Sequence, residues 1–270
     1  ARAMIADGLL ERFPMERVFG FHSWPGLEAG TVQVHRGPVM SDPGKFEITL
    51  HGTAGHAAKP DLTRDPIVAA GHLIVALQTI VARNVEPIDS AVVSIGAITG
   101  GTVHNQIPDS VTLKGTFRTY RLPVRERVMA RIRQISEGIA ETFEMRAEVL
   151  LTAMGAPTVN SEIEEELAIA AAKSAGLSVR RDLPPSTASE DFPMLTQDRP
   201  GAYVWIGNGP AQDGGELHNE RYNFNDAILP AGWRRWRARR CRANGAMPRP
   251  RPPGTDQNGL TGKKRMNRRA

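Results

Sequence analysis

Hydrophobic and polar positions alternate most regularly between residues 46 and 151. Phe46, Ile48 and Leu50 fall on one side of an extended segment and Glu47 and Thr49 on the other, the pattern of a half-buried strand. Residues 66–82 (PIVAAGHLIVALQTIVA) predict a helix, with Asp65 as N-cap and Pro66 in the first turn. Residues 91–98 are rich in β-branched side chains, and residues 111–120 alternate cleanly; both predict strands. Residues 124–143 predict an amphipathic helix with Val128, Ile132, Ile135, Ile139 and Phe143 on one stripe. A strand over 146–151 closes the series. Strand-helix-strand-strand-helix-strand is the ferredoxin-like order, an open four-stranded sheet with both helices on one face.

The helix predicted over 66–82 carries no formal charge in seventeen residues. A helix covering one face of a sheet ordinarily keeps a charged stripe toward water. This one offers only His72, Gln78 and Thr79. It is too short, and too closely flanked by Arg64 and Arg83, to read as a membrane span. Burial on two sides is the simpler account, by its own sheet and by a second copy of the chain, with Ile74 and Leu77 as interface positions.

The flanking segments have a different character. Residues 1–36 predict a short helix, a strand over 18–22, a turn at Trp24-Pro25-Gly26, and a further strand around Val32 and Val34. After Thr152, a helix over 161–175 begins with Ser161 as cap and Glu162, Glu164, Glu165 and Glu166 in its first turns. A strand follows over 201–206. The chain therefore divides into a discontinuous domain, 1–40 with 152–230, and an inserted domain, 41–151.

Charge adds a third region. Residues 231–270 hold thirteen Lys and Arg against one acidic residue, whereas the rest holds 21 basic and 28 acidic residues. The net charge of +5 thus joins an acidic body to a basic tail. The tail lacks apolar periodicity and predicts disorder; its abrupt onset reads as a frameshift or a fusion. No aromatic-interleaved motif supports specific nucleic-acid binding. The single cysteine, Cys241, fits a reducing compartment, and with no signal peptide in view the expected location is cytoplasmic. The opening residues lack an initiator methionine and read as cut from something longer.

No HExxH, paired CxxC, Walker or GxSxG motif occurs. Candidate chemistry lies in scattered histidines: His22, His56, His104 and His218. His22 reads as the end of a strand before a Pro-Gly turn. His56 sits in the Gly/Ala-rich turn GTAGHAA, where small residues let backbone approach whatever the imidazole faces. Each alone is as readily an ordinary loop histidine. Glu190-Asp191 reads as a charge cluster at a helix N-terminus.

In series the pieces are more specific. GFHSWP (20–25), the stretch 51–67, HNQIPD (104–109) with Arg118 beyond it, STASEDF (186–192), PGAYVWIGNG (200–209) and LHNERYNFND (217–226) occur in that order. Over residues 1–230 the chain resembles the metal-dependent N-acyl-amino-acid amidohydrolases, the hippurate hydrolase and auxin-conjugate hydrolase branch of the aminoacylase/carboxypeptidase clan. The resemblance implies part of a zinc-aminopeptidase-like α/β catalytic domain carrying an inserted ferredoxin-like dimerisation or lid domain. It implies His22 and His218 as metal ligands, and two divalent ions (zinc, manganese, cobalt or nickel) per complete site. His56 matches a catalytic histidine that reaches into the partner subunit's site and stabilises the oxyanion. Asn105 and Arg118 match groups that hold the substrate's carboxylate or the oxyanion. The expected substrate is an N-acyl amino acid or small peptide, and the expected partner a second copy bound through 41–151, with no membrane.

The departures are informative. In this family a glutamate general base from a Glu-Glu pair and further ligands from a Cys-Gly-His-Asp segment lie upstream of where residue 1 falls. Thr187-Ala188 stand where Met-Gly is usual, and Ser23 where Asn is frequent. The expectation is an N-terminally truncated amidohydrolase, inactive as these 270 residues alone. The alternative is a non-catalytic dimerisation module left from such an enzyme.

Overall fold

The computed structural model describes residues 1–211 and 215–229. The expected disorder of the basic tail falls on 231–270, outside those residues. In chain order the elements are α1 (Arg2–Ala6), α2 (Leu9–Arg12), β1 (Val18–Pro25), β2 (Thr31–Gln33), β3 (Pro38–Met40), β4 (Asp42–His51), β5 (Gly55–His56), α3 (Pro66–Thr79), β6 (Ala91–Gly100), β7 (Gln106–Ile107), β8 (Ser110–Thr119), α4 (Leu122–Thr142), β9 (Arg146–Ala153), β10 (Thr158–Val159), α5 (Glu162–Ser174), β11 (Ser178–Arg180) and β12 (Gly201–Gly209). Short 3-10 turns cover Pro60–Leu62, Phe192–Met194 and Asp226–Ile228.

The inserted domain is the sheet β6-β8-β4-β9, antiparallel at every pairing. That is the ferredoxin-like strand order. Phe46, Ile48 and Leu50 of β4 and Leu113 and Phe117 of β8 point to one face, where Leu73 and Leu77 of α3 and Val128 and Ile132 of α4 complete the core. The other face is polar: Thr49 hydrogen-bonds Thr112 (3.1 Å), and Lys114 pairs with Glu47 (3.2 Å). Period-two patterning therefore decided which face took the helices.

Asp65 caps α3 by accepting from Ile67 and Val68 N–H groups. The helix then loosens into a π-type turn over Ile80–Asn84, which the uniform apolar run did not foretell. By length and apolarity Pro66–Asn84 would suffice to cross a membrane, contrary to the expectation that it is too short. Its inner face, however, is sheet core. The uncharged outer face is open in a single chain: Val68 is 48 % and Val75 70 % exposed. Leu77 is fully buried in that chain's own core, so its reading as an interface position is corrected.

The remaining segments form the sheet β1-β12-β2-β11. β1 and β12 are parallel, and β12 is buried along nearly its whole length, as parallel strands covered on both faces are. Ala202, Val204 and Ile206 face α5, while Tyr203 and Trp205 pack with Leu27, Met40 and Phe192 on the other side. Two carboxylates of α5 expected to serve the helix N-terminus are instead buried: Glu164 pairs with Arg17 (2.5 Å) and Glu165 with Arg181. Ser161 occupies the N-cap, yet its hydroxyl accepts from Gly201 N–H (3.2 Å) rather than from its own helix. The opening segment is two short helices rather than one.

Two crossings join the domains, at Ser41–Asp42 and after Ala153. Arg125 of α4 holds both, donating to the Asp42 carboxylate (2.8 Å) and to Gly155 O (3.1 Å). Asp42 is fully buried, and removing a partner from such a pair typically costs about 3–5 kcal/mol.

Candidate functional site

His22 is not at a strand end. It lies inside β1, which continues to Pro25, opposite Trp205 in the parallel register. Its Nδ1 donates to Ser23 O (2.7 Å), which leaves the Nε2 lone pair free. That arrangement, one ring nitrogen on a backbone carbonyl and the other open, is how a ligating histidine is oriented. The ring stands edge-on to Trp24 at 5.9 Å, and Trp24 is stacked on Trp205 at 3.7 Å.

Facing the free Nε2, at 4.0 Å, is Oε1 of Glu190. Glu190-Asp191 would suit a helix N-terminus, but in the fold only a three-residue turn follows, and Glu190 faces His22 instead. Its Oε2 accepts from Asp191 N–H (3.1 Å). Burial first, and then the Glu190 charge, push the Tyr203 phenol well above its ordinary range, so it stays a proton donor. A cleft of about 320 Å³ beside Glu190 is lined by Pro43, Met154, Gly155 and Met194 from the domain joint.

His218 is in an exposed turn with φ 63°. Its segment is anchored beside His22, since Ser23 Oγ lies 2.6 Å from Tyr222 Oη and Asn208 donates to Asn223 O (3.0 Å). Among the described residues no group of three His, Cys, Asp or Glu side chains stands together to hold a metal ion. His22 and Glu190 are donors of the right chemistry for a divalent transition metal, but a site needs three or four. The described residues thus do not by themselves make one.

His56 and Asn105 come together elsewhere. The two-stranded ribbon β5-β7 pairs His56 with Gln106, and Ala57 N–H donates to Asn105 O (3.0 Å). Gly52 lies close against the Arg64 segment, where a Cβ would come 2.1 Å from Arg64 O. His56 Nδ1 accepts from Ala58 N–H (3.0 Å), so the neutral ring carries its proton on the exposed Nε2. His104 lies in the exposed turn before β7.

Arg118 is at the opposite end of the sheet. It is in register with Pro43, whereas Ser110, which leads from the ribbon, is in register with His51. Its guanidinium bonds Gly44 O, Phe117 O and the Thr116 hydroxyl. The ten-residue β4 separates the two ends, about 30 Å at about 3.3 Å per residue. Glu190 lies at the joint, because Ser41 bonds the carbonyl of Ala188. Within one chain, then, His22, Glu190 and Arg118 lie toward the joint, and His56 with Asn105 at the far tip. A wider surface depression of about 650 Å³ lies beside Asn84, Arg127 and Arg131, and both arginines there bond Asn84.

Residues 44–144 match the peptidase dimerisation domain of the M20 type. The chain is 39 % identical over 234 residues to the N-acetyl-L-cysteine deacetylase of Bacillus subtilis, covering 86 % of this chain and 55 % of that protein. It is 36 % identical over 231 residues to the hippurate hydrolase of Campylobacter jejuni, covering 85 % and 60 % of the two. Among solved structures it is similar to a dinuclear metal-binding M20 peptidase from Bacillus subtilis, with TM-score 0.71, 30 % identity and coverage of 85 % and 57 %. The chain spans only a little over half the length of these relatives.

Proposed function

Starting from the fact that this chain belongs to the M20 family of peptidases and amidohydrolases, we propose that its residues serve a metal-dependent site that hydrolyses the amide bond of N-acyl amino acids. The observation that carries this is the pairing of His22 Nε2 with Glu190 at 4.0 Å, with the His22 ring oriented by Ser23 O. Relatives named for N-acetylcysteine and hippurate support the substrate class. A neighbour described as dinuclear supports divalent ions, with zinc, manganese, cobalt and nickel as the candidates.

In this reading His22 and His218 are ligands, and Glu190 stands beside them. His56 presents an N–H from Nε2, the donor a developing oxyanion needs. Since His56 lies at the far tip of the inserted domain and His22 in β1 of the discontinuous domain, beside the joint, His56 serves the site of a second copy. The open, uncharged face of α3 and the adjoining edge strand β6 are where that copy docks. Asn105 shares the His56 ribbon, and Arg118 supplies a cation near the joint for a carboxylate.

The second reading is a dimerisation module without hydrolytic activity, favoured by the lack of a three-donor cluster among the described residues. Hippurate titrated into the isotopically labelled dimer separates the two. Shifts at His56 and Asn105 that vanish in His56→Ala support the site; no shift at any of these residues supports the module.

A further inference from the structure

The segment that delivers Glu190 is held carbonyl by carbonyl. Gln33 Nε2 donates to Leu183 O (3.5 Å), His35 Nε2 to Pro184 O (3.2 Å), and Tyr120 Oη to Pro185 O (3.4 Å). The Ser41 amide is shared between Ser186 O (3.1 Å) and Ala188 O (2.9 Å), and the Ser41 hydroxyl donates to Thr187 O (2.7 Å). Six consecutive carbonyls thus meet a donor, although the segment contains no regular element until the short turn at Phe192. The loop residues themselves are exposed or half-buried, yet their carbonyls are taken up by buried donors of the folded body rather than left to water. Here four residues from outside the loop do it, through four side chains and one amide, and Gln33, His35, Ser41 and Tyr120 are all 9 % exposed or less.

The donors have different origins. Gln33 and His35 belong to the β2 region of the discontinuous domain. Ser41 is the last residue before β4 crosses into the inserted domain. Tyr120 is already inside that domain, directly after β8. Arg125, five residues on, grips the two crossings through Asp42 and Gly155. The loop is therefore bonded to both sides of the joint, two residues before Glu190.

We propose that Ser41 and Tyr120 are positioning residues that fix the 183–188 loop so that Glu190 faces His22, and that Tyr120 makes this placement depend on how the inserted domain is seated. Neither touches His22 or Glu190; each acts through the loop. The importance of Glu190 for chemistry rests on the function proposed above, but the tether does not.

The test uses the full chain with Ser41→Ala, Tyr120→Phe, the double variant and Ser41→Thr. Two quantities are read: amide exchange over residues 186–191, and the nuclear Overhauser effect between the His22 ring and the Glu190 methylenes. Each single loss should accelerate exchange there about fivefold to tenfold, as for one lost buried hydrogen bond, and weaken the His22–Glu190 effect. The double variant should exceed either, and Ser41→Thr should restore the wild-type values. Exchange within β12 and β8 should not change. Unchanged exchange over 186–191, or equal acceleration in β12 and β8, would overturn the proposal. Failure of the wild-type chain to bind hippurate would defeat the functional reading and leave this measurement intact.

Discussion

The Ser23 hydroxyl and the Tyr222 phenol oxygen lie 2.6 Å apart, across 199 residues of sequence. Ser23 adjoins His22 and Tyr222 is four residues from His218, so this one bond ties the two histidine-bearing segments. Otherwise the 217–226 stretch is held chiefly by Asn208, which bonds Asn223 and Asn225. Tyr222→Phe should lower stability by about 0.5–1.5 kcal/mol and raise amide exchange over 217–226 more than over β12. Exchange rising equally in both would show that the bond does not organise this stretch.

The outer face of α3 makes a separate prediction. An uncharged helix face with Val75 70 % exposed is an apolar patch that a second copy would cover. Val75→Arg or Val68→Arg should convert a dimer to monomer in sedimentation while the circular dichroism stays unchanged. Leu77→Arg should behave differently and unfold the domain, because Leu77 is core. A dimer that survives both surface substitutions would place the contact elsewhere.

The inserted domain was legible because its signals are local. Each strand states its buried face by alternation, and the 3.6-residue stripe of α4 states the other half of the same core. Glu190 was not legible in that way. Its position beside His22 requires β1 to lie parallel to β12 and requires a loop whose donors come from residues 33, 35, 41 and 120. No window of sequence contains those contacts. Leu77 as an interface position fails for a related reason: an apolar run without a charged residue gives only a weak phase, so inner and outer faces of α3 look alike until the sheet fixes them. The ribbon joining His56 to Asn105 likewise depends on pairing across about fifty residues.

His35 ties stability to pH. Burial lowers its pKa below the ordinary value, outweighing the hydrogen bond to Pro184 that would raise it. The folded chain therefore keeps His35 neutral where the unfolded chain protonates it. The stabilisation is fully present above the unfolded pKa of about 6.5 and is lost as pH falls below it, at up to about 1.4 kcal/mol per pH unit. Unfolding free energies measured between pH 7.5 and 5 should fall toward acid, and His35→Gln, which retains an amide donor for Pro184 O, should flatten that slope. An equal slope in the variant would assign the loss to other groups.

The last prediction is that these 270 residues, taken alone, do not hydrolyse N-acyl amino acids at a rate typical of an enzyme. Hydrolysis by a metal-dependent amidohydrolase needs an activated water, a carboxylate to take its proton, and donors for the oxyanion. The described residues bring together His22 and Glu190, with the His218 segment tethered beside them, and a second copy can supply His56. Two adjoining donors fall short of a metal site. One oxygen of Glu190 is also engaged, by Asp191 N–H. Lack of a positioned general base alone costs ~10²–10⁴-fold, and weak metal retention removes the nucleophile too. Equilibrium dialysis against zinc, manganese, cobalt or nickel should show less than one tightly held ion per chain. Steady-state assays on hippurate and N-acetylcysteine should show no turnover above the metal-only blank. Turnover that follows added metal and disappears in His22→Ala would mean that the donors present here suffice.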